Sequence, residues 1–286
     1  MVLEHTVNER GHFGLAAALA AHGGPTVQVV DPFGEESSAF FATLWAGTED
    51  DIEHILGVAK HAGARRVLDI GCGDGRLVEA LAHHGISAAG IEVSPAMHAR
   101  AMQRLSRLSE PALSHARAVN LDFQALPRAA GTVDGVASIG LTVSTFEPTV
   151  RSAFFDLAGD VLRPGGFLAF DVVDIDHRHD ASFFTEMHRP LPDGRFEVVL
   201  VDCLHLPTSG FQQTNIVFQR IGADGTQHLV SSVRCEIVSR AELASELDDA
   251  GFSLDQVVEV SPAEAELPQA GHRPDWGISR IVAIRK

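Results

Sequence analysis

The fold is decided by one stretch of the chain, VLDIGCGDGRL at residues 67–77. A short apolar run ends at a loop with glycine at every second position, and a helical pattern of apolar residues follows. Glycines allow a tight strand-to-helix turn and let the backbone approach a ligand closely. The N-terminus of the next helix directs its free N–H groups and positive dipole end at that ligand. The stretch therefore predicts a strand, a ligand-binding loop at 69–75 and a helix.

Outward from this unit, apolar runs alternate with helical patterns. Further strands are predicted over 88–93, 117–121, 133–139 and 167–173, with helices over 76–84, 94–108 and 148–162. Ser94 and Pro95 begin the second of these helices as its N-cap and first residue. Apolar strands separated by helices indicate a parallel sheet that is covered on both faces.

The alternation of short apolar strands with helices ends after Val173. Longer, partly alternating strands are predicted over 196–206, 213–222 and 227–239, and residues 223–226 carry a hairpin signal. A helix over 240–250 and strands over 253–260 and 279–285 follow. We therefore predict an α/β fold: a Rossmann-like, doubly wound, mostly parallel seven-stranded sheet with an antiparallel sheet inserted after its fifth strand.

Charge and composition narrow the class of partner. The chain of 286 residues has 22 basic and 38 acidic side chains, for a net charge of -16. Nucleic-acid binding needs a basic face, and no basic run is present, so we predict no nucleic-acid partner. No apolar run reaches the ~18 residues of a membrane span, and the Ala-rich stretch at 14–21 makes a poor signal peptide. We expect a cytoplasmic protein without a membrane partner.

The three cysteines, Cys72, Cys203 and Cys235, are too few and too widely spaced for a disulfide framework or a Cys-x-x-Cys metal pair. Buried free thiols are expected. Carboxylates and histidines at 174–180 suit a divalent metal, but they are also typical of a polar loop, and we predict no metal.

The glycine loop alone does not separate cofactor classes. Arg76 stands where the dinucleotide fingerprint has its third glycine. The carboxylate of Asp69, at the strand end, would crowd a pyrophosphate but suits a ligand with a cationic amine. A nicotinamide-dependent oxidoreductase is therefore the weaker hypothesis.

With these residues, the chain resembles the class I S-adenosylmethionine-dependent methyltransferases, of the type that tailors small molecules and natural products. The resemblance implies S-adenosylmethionine as cofactor and S-adenosylhomocysteine as product. It implies that Asp69 and the glycine loop hold the methionine part, that Glu92 accepts the ribose hydroxyls and that Asp122 accepts from the adenine amino group. The implied cofactor-binding set is Asp69, Gly71, Cys72, Gly73, Glu92, Val93, Met97, Leu121, Asp122, Phe123, Ser138 and Ile139.

The same resemblance suggests a division of the chain. Residues 1–60 are expected to be a helical lid segment and 61–173 the cofactor-binding core. Residues 174–239 are expected to form a sheet that caps the substrate, and 240–286 to complete the core.

The sequence is less specific about the residues that would bind the substrate or act in catalysis. Phe33, Phe41 and Trp45 resemble an aromatic lid, although their spacing also fits an amphipathic helix packed on the core, and both interpretations stay open. His177, His179 and Glu147 are the candidate catalytic residues, with His205 a further candidate base, because histidine titrates near neutral pH. Glu147 is alternatively a group that binds a cationic amine.

We predict methyl transfer to a small molecule or short peptide, with amine N-methylation favoured and O-methylation as the alternative. Ser138-Ile139-Gly140 replaces the Asn/Asp-Pro-Pro-aromatic set of enzymes that methylate nucleobase nitrogens. A non-catalytic scaffold that binds S-adenosylmethionine is the hypothesis from another class. Strand edges in the insert allow a homodimer, and the oligomeric state is open.

Overall fold

The computed structural model describes residues 7–44, 49–129, 131–173, 180–191, 193–260 and 277–286. The helices of these residues are α1 Gly14–His22, α2 Glu35–Leu44, α3 Asp50–His61, α4 Arg76–His83, α5 Pro95–Leu105, α6 Ala112–His115, α7 Pro148–Val161 and α8 Arg240–Asp249. The strands are β1 Val27–Val29, β2 Arg66–Ile70, β3 Ser87–Glu92, β4 Ala116–Asn120, β5 Val133–Ser138, β6 Leu162–Val173, β7 Ala181–Pro190, β8 Phe196–Leu206, β9 Phe211–Gly222, β10 Gly225–Glu236, β11 Phe252–Val260 and β12 Ile278–Arg285.

Seven strands form the central sheet in the order β11-β12-β6-β5-β2-β3-β4. The pairs among β2 to β6 are parallel, and β12 runs antiparallel to both β6 and β11. The predicted Rossmann-like, mostly parallel seven-stranded sheet is confirmed. The strand order reverses at β2, which places the glycine loop at the crevice where such sheets bind ligands.

Helices cover both faces of this sheet and bury its apolar strands. On one face α7 and α8 pack Phe154, Phe155 and Leu247 against β6 and its neighbours. On the other face α3 and α4 pack Ile55 and Leu81. This double coverage explains why β6 is apolar almost throughout: eight of its residues, 166–173, are buried in succession.

A second sheet has the order β1-β10-β9-β8-β7. The predicted hairpin is confirmed, because Gly222 pairs with Gly225 across a two-residue turn. The third predicted strand was too long at its end, since Ser239 is the N-cap of α8 in a capping box with Glu242. Antiparallel pairing from β7 to β10 confirms the predicted insert.

Two strands of this sheet were missed by the sequence patterns. β1 spans three residues, too few for a periodic signal, and it pairs in parallel with β10. In β7 the adjacent rings of Phe183 and Phe184 obscure the alternation that the burial pattern shows. None of the helices in the described part of the chain is long and apolar enough to span a bilayer.

Candidate active site

A cavity of about 970 Å³ lies between the two sheets. On one side it meets the carboxyl ends of β2, β3, β5 and β6, and on the other the inner face of the antiparallel sheet. Its size is at the upper end of the range of about 300–1,000 Å³ for small-molecule sites. The cavity is therefore large enough for a cofactor and a second small molecule together.

Asp69 ends β2 with a carboxylate that is 1% exposed and lines the cavity. Neither of its oxygens has a hydrogen-bond partner. Burial, followed by the neighbouring charge of Glu92, raises the pKa of Asp69 to about 8. A buried carboxylate without a partner is costly for the ligand-free protein, so the site fits a ligand that brings a cation to Asp69.

Glu92 ends β3 on the same wall. Its Oε2 accepts from the N–H of Gly73 at 2.9 Å and its Oε1 accepts from the N–H of Ser94 at 2.8 Å. Burial raises the pKa of Glu92, and these backbone hydrogen bonds oppose the rise. The glutamate thus joins the glycine loop to the start of α5 and keeps lone pairs that can accept hydroxyls.

The glycine loop needs glycine at position 71 for two reasons. Its φ of 71° lies in the left-handed region, and a Cβ there would come within 2.5 Å of Thr142 Cγ2. The loop after β2 therefore packs directly against the loop after β5. That contact brings the two loops together beside the cavity.

The N-terminal segment is tied by α5 to the side of the cavity that holds Glu92. Ser94 Oγ accepts from the N–H of Met97 at 3.2 Å, as predicted for an N-cap, and donates to the carbonyl of Phe33 at 2.6 Å. Arg100 Nε donates to Ser38 Oγ at 2.9 Å. Phe33 and Met97 both line the cavity.

The aromatic residues predicted for the lid fall into different environments. Phe33 and Phe41 line the cavity, with ring centroids 4.9 Å apart. Phe40 also lines it but is buried, with its ring edge-on to Phe218 of the antiparallel sheet at 5.4 Å. The segment thus has both lid-like and core-like residues. Trp45 lies outside the described residues.

The residues predicted to surround the adenine lie after β4. Leu121, Asp122 and Phe123 all line the cavity. Phe123 is buried against Phe146 at a centroid distance of 5.3 Å. Asp122 is exposed, and its Oδ1 caps a short 3₁₀ turn by accepting from the N–H of Gln124 at 2.9 Å. Its Oδ2 is the oxygen left for a ligand.

Of the remaining predicted cofactor residues, most line the cavity and one does not. Cys72, Gly73, Val93 and Ile139 line the cavity. Ser138 is fully buried at the end of β5, is not among the residues that line the cavity, and donates its hydroxyl to the carbonyl of Ile70 at 2.7 Å. Its contact joins β5 to β2, so Ser138 supports the wall from behind.

The structure describes two of the four candidate catalytic residues, Glu147 and His205, and neither lines the cavity. His177 and His179 lie outside the described residues. Glu147 is exposed at the N-cap of α7 and is not among the residues that line the cavity. His205 is buried with Nδ1 3.2 Å from Gln212 Oε1, and it too is not among the residues that line the cavity. Within the described residues, no cluster of His, Cys, Asp and Glu is arranged to hold a metal ion.

Asp171 is a cavity-lining residue that the sequence patterns missed. It is 3% exposed on β6, and its two oxygens accept from the N–H groups of Gly140 at 3.0 Å and Leu141 at 2.6 Å. Burial raises its pKa to about 6, against the effect of these two hydrogen bonds. The only available signal was one acidic residue inside an apolar run, which is too weak to assign a contact.

Comparison with known proteins relates the part of the chain around the glycine loop to a family model. Residues 67–166 match a family model described as a methyltransferase domain. The chain is 30% identical over 135 residues to glycine N-methyltransferase of Oryctolagus cuniculus, a match that spans 43% of this chain and 45% of that enzyme. The match thus covers less than half of this curated relative.

Solved structures resemble the chain over most of its length. The amino pentose methyltransferase CalS10 of Micromonospora echinaspora has a TM-score of 0.62 at 20% identity, over 83% of this chain and 91% of that one. The sugar N-methyltransferase KedS8 of Streptoalloteichus sp ATCC 53650 has a TM-score of 0.65 at 20% identity, over 90% and 95%. The glycopeptide N-methyltransferase MtfA has a TM-score of 0.57 at 17% identity, over 94% and 96%. At these identities the likeness concerns the fold.

Proposed function

We propose that this chain, a member of the class I S-adenosylmethionine-dependent methyltransferases, methylates the amine nitrogen of a small molecule or short peptide in natural-product metabolism. The observation that carries the proposal is the unpartnered carboxylate of Asp69 in a cavity that continues from the glycine loop to the antiparallel sheet. The names of the similar structures, which include sugar and glycopeptide N-methyltransferases, support nitrogen as the acceptor atom.

The residues present fit the cofactor. Asp69 would take its ammonium group, and the glycine loop would hold its carboxylate near the N-terminus of α4. Glu92 would accept the ribose hydroxyls, and Met97 and Phe123 would flank the adenine. The cofactor supplies, when bound, a methyl group that is already activated on a sulfonium.

The chain's own residues then have to align the acceptor and keep water out. Alignment of this kind contributes on the order of 7–11 kcal/mol in favourable cases. Of the described antiparallel-sheet residues that line the cavity, His188 and Arg189 lie near the end of β7, whereas those between Phe183 and Met187 and those on β8 to β10 include no acid, histidine or lysine. An apolar wall lowers the pKa of an amine and favours its neutral, nucleophilic form. A hydroxyl acceptor would need a base, so the part of the wall away from His188 favours amine over hydroxyl.

The first test is calorimetric titration with S-adenosylmethionine and S-adenosylhomocysteine. We expect the wild-type protein to bind both, and Asp69→Asn, which keeps the shape but removes the charge, to lose at least about tenfold in affinity for each. No binding of either by the wild type would refute the assignment.

The second test separates an enzyme from a binding scaffold. The loaded protein is incubated with a panel of primary amines and a matched panel of alcohols, and methylated products are sought by mass spectrometry. Amine products support the proposal, while alcohol products assign O-methylation. Cofactor binding without turnover on either panel favours the scaffold.

A further inference from the structure

The antiparallel sheet presents one continuous face to the cavity. Alternate residues of four neighbouring strands form it, because side chains in a strand alternate between the two faces. We call this set the acceptor face: Phe183, Thr185, Met187, Val199, Val201, Cys203, Gln212, Thr214, Ile216, Val233 and Cys235. No member carries a charged side chain, and six are hydrocarbon or thioether side chains.

The polar members of the acceptor face are largely satisfied within the protein. Thr214 donates its hydroxyl to Cys203 Sγ at 3.2 Å, and Gln212 Oε1 lies 3.2 Å from His205 Nδ1. Burial raises the pKa of Cys203 and of Cys235 to about 12, so both thiols are neutral near pH 7. The face therefore offers an acceptor mainly apolar contact.

Charged groups of the cavity lie elsewhere. Asp69 and Glu92 lie where β2 and β3 end, and Asp171 is held by two backbone N–H groups. The other charged residues that line the cavity from outside the antiparallel sheet are Asp50, Asp51, Asp74, Arg76, Asp122 and Arg280. At the outer end of β7, Arg189 pairs with the buried Glu197 at 2.6 Å, and the neighbouring His188 also lines the cavity. Between the two walls, Leu141 and Val173 pack into the same cluster as Cys203 and Cys235, so the apolar surface reaches the edge of the cofactor side.

Such a face discriminates between acceptors by desolvation. A hydroxyl or an ionised group that is buried against it loses water and gains no partner, which costs about tenfold or more in affinity per hydroxyl. Hydrocarbon and aromatic surface gains affinity from the same burial. The face thus disfavours a polyhydroxylated acceptor.

We infer that the acceptor amine is borne on a largely apolar, uncharged body, such as an alkyl or aryl group, and not on a polyhydroxylated sugar. This inference rests on the proposed function and names its substrate class. It separates this chain from the amino pentose and sugar enzymes that share its fold.

The test measures acceptor binding by calorimetry with S-adenosylhomocysteine already bound, so that no methyl transfer is required. The probes are phenethylamine and hexylamine as apolar amines, and glucosamine as the amino sugar. We expect both apolar amines to bind at least about tenfold tighter than glucosamine.

Two nearly isosteric variants of the acceptor face provide a reciprocal control. Thr185→Val removes a hydroxyl and should leave phenethylamine binding unchanged or tighter. Val201→Thr adds a hydroxyl and should weaken it about two- to tenfold. Unchanged affinity for S-adenosylhomocysteine shows that each variant is folded with an intact cofactor site.

The outcomes distinguish a failure of the proposed function from a failure of the substrate class. Failure of S-adenosylhomocysteine to bind the wild type overturns the proposed function. Binding of S-adenosylhomocysteine together with tighter binding of glucosamine than of the apolar amines overturns only the substrate class. Weaker phenethylamine binding in Thr185→Val, or no amine binding at all, also counts against the apolar acceptor.

Discussion

The carboxylate of Asp171 accepts a 2.6 Å hydrogen bond from the backbone N–H of Leu141, a residue 30 positions earlier in the chain. Leu141 has a φ of 64° and is the one non-glycine residue in the left-handed region among the described residues. Such a backbone conformation is costly for leucine and persists when surrounding contacts hold it. Asp171 thus supports the turn after β5, at Gly140 and Leu141, which lines the cavity.

Asp171→Asn should therefore destabilise the protein and slow methyl transfer. The amide has one acceptor oxygen in place of two, so one of the two backbone N–H groups loses its partner, at a cost of about 1–3 kcal/mol. Urea unfolding measures the loss, and steady-state kinetics should show a lower kcat. Adding Leu141→Gly relieves the strained φ and should restore part of the stability. An unchanged free energy of unfolding in Asp171→Asn would contradict this role.

Cofactor affinity should depend on pH through Asp69. Its pKa of about 8 means that the free protein holds this carboxyl largely protonated near pH 7, whereas a ligand ammonium requires the anion. Binding releases a proton, so affinity for S-adenosylhomocysteine should rise between about pH 6 and pH 7.5, by at most about tenfold per unit. Calorimetry in two buffers of different ionisation enthalpy reports the proton release. In Asp69→Asn the slope should disappear, and a slope that persists there would assign it to another group.

The same carboxyl should make the ligand-free protein less stable as pH rises. Between its ordinary pKa of 3.8 and about 8, the unfolded chain is ionised at Asp69 while the folded chain keeps the proton, so ionisation favours unfolding. Asp69→Asn removes this effect. We expect its Tm to exceed that of the wild type by at least about 2 °C more at pH 8 than at pH 5. Equal differences at both pH values would show that Asp69 ionises normally.

Gly71→Ala should disturb the cofactor loop through a contact that can be relieved. The new Cβ would lie 2.5 Å from Thr142 Cγ2, in addition to the strain of a φ of 71°. We expect at least about tenfold weaker binding of S-adenosylhomocysteine, measured by calorimetry. Thr142→Ser removes the clashing methyl and keeps the hydroxyl that donates to the carbonyl of Ile139 at 3.0 Å. Combined with Gly71→Ala, it should recover part of the affinity, and no recovery would leave backbone strain as the whole cause.

The buried Glu197 should be essential for the antiparallel sheet. It is fully buried and pairs with Arg189 at 2.6 Å and with Arg220 at 2.8 Å. Arg220 also donates to the carbonyl of Glu36 at 2.7 Å and so anchors α2. Removing the shared carboxylate in Glu197→Ala leaves two arginines short of their partner and should cost about 3–5 kcal/mol in urea unfolding.

Asp193→Asn is the matched control for Glu197, because its ion pair with Arg195 at 2.7 Å is exposed. Exposed pairs of this kind contribute little to stability. We expect no measurable change in the urea midpoint. A loss as large as that in Glu197→Ala would mean that burial does not explain the effect.

The sequence by itself determined the features that depend on neighbouring residues. The strand, glycine loop and helix around residues 67–77 are local, because apolar periodicity, left-handed glycines and helix termini act over a few positions. The N-cap at Ser94 and the turn between Gly222 and Gly225 were predictable for the same reason. These signals were sufficient for the strands of the central sheet and the presence of an antiparallel insert, whereas the cofactor class rested on the resemblance to a methyltransferase family.

The tertiary structure alone decided which residues meet across long separations. Whether Ser138 faces the cavity or the back of its wall, and whether Asp171 reaches Leu141, depends on strand order and register. The pairing of β1 with β10, across some 200 residues, leaves no local periodic signal. Burial that only the assembled fold provides also raises the pKa of Asp69, and strand pairing brings the uncharged residues of the acceptor face together. The glycine loop is therefore determined locally, while the electrostatics of Asp69 and the proposed acceptor face arise from packing between distant segments.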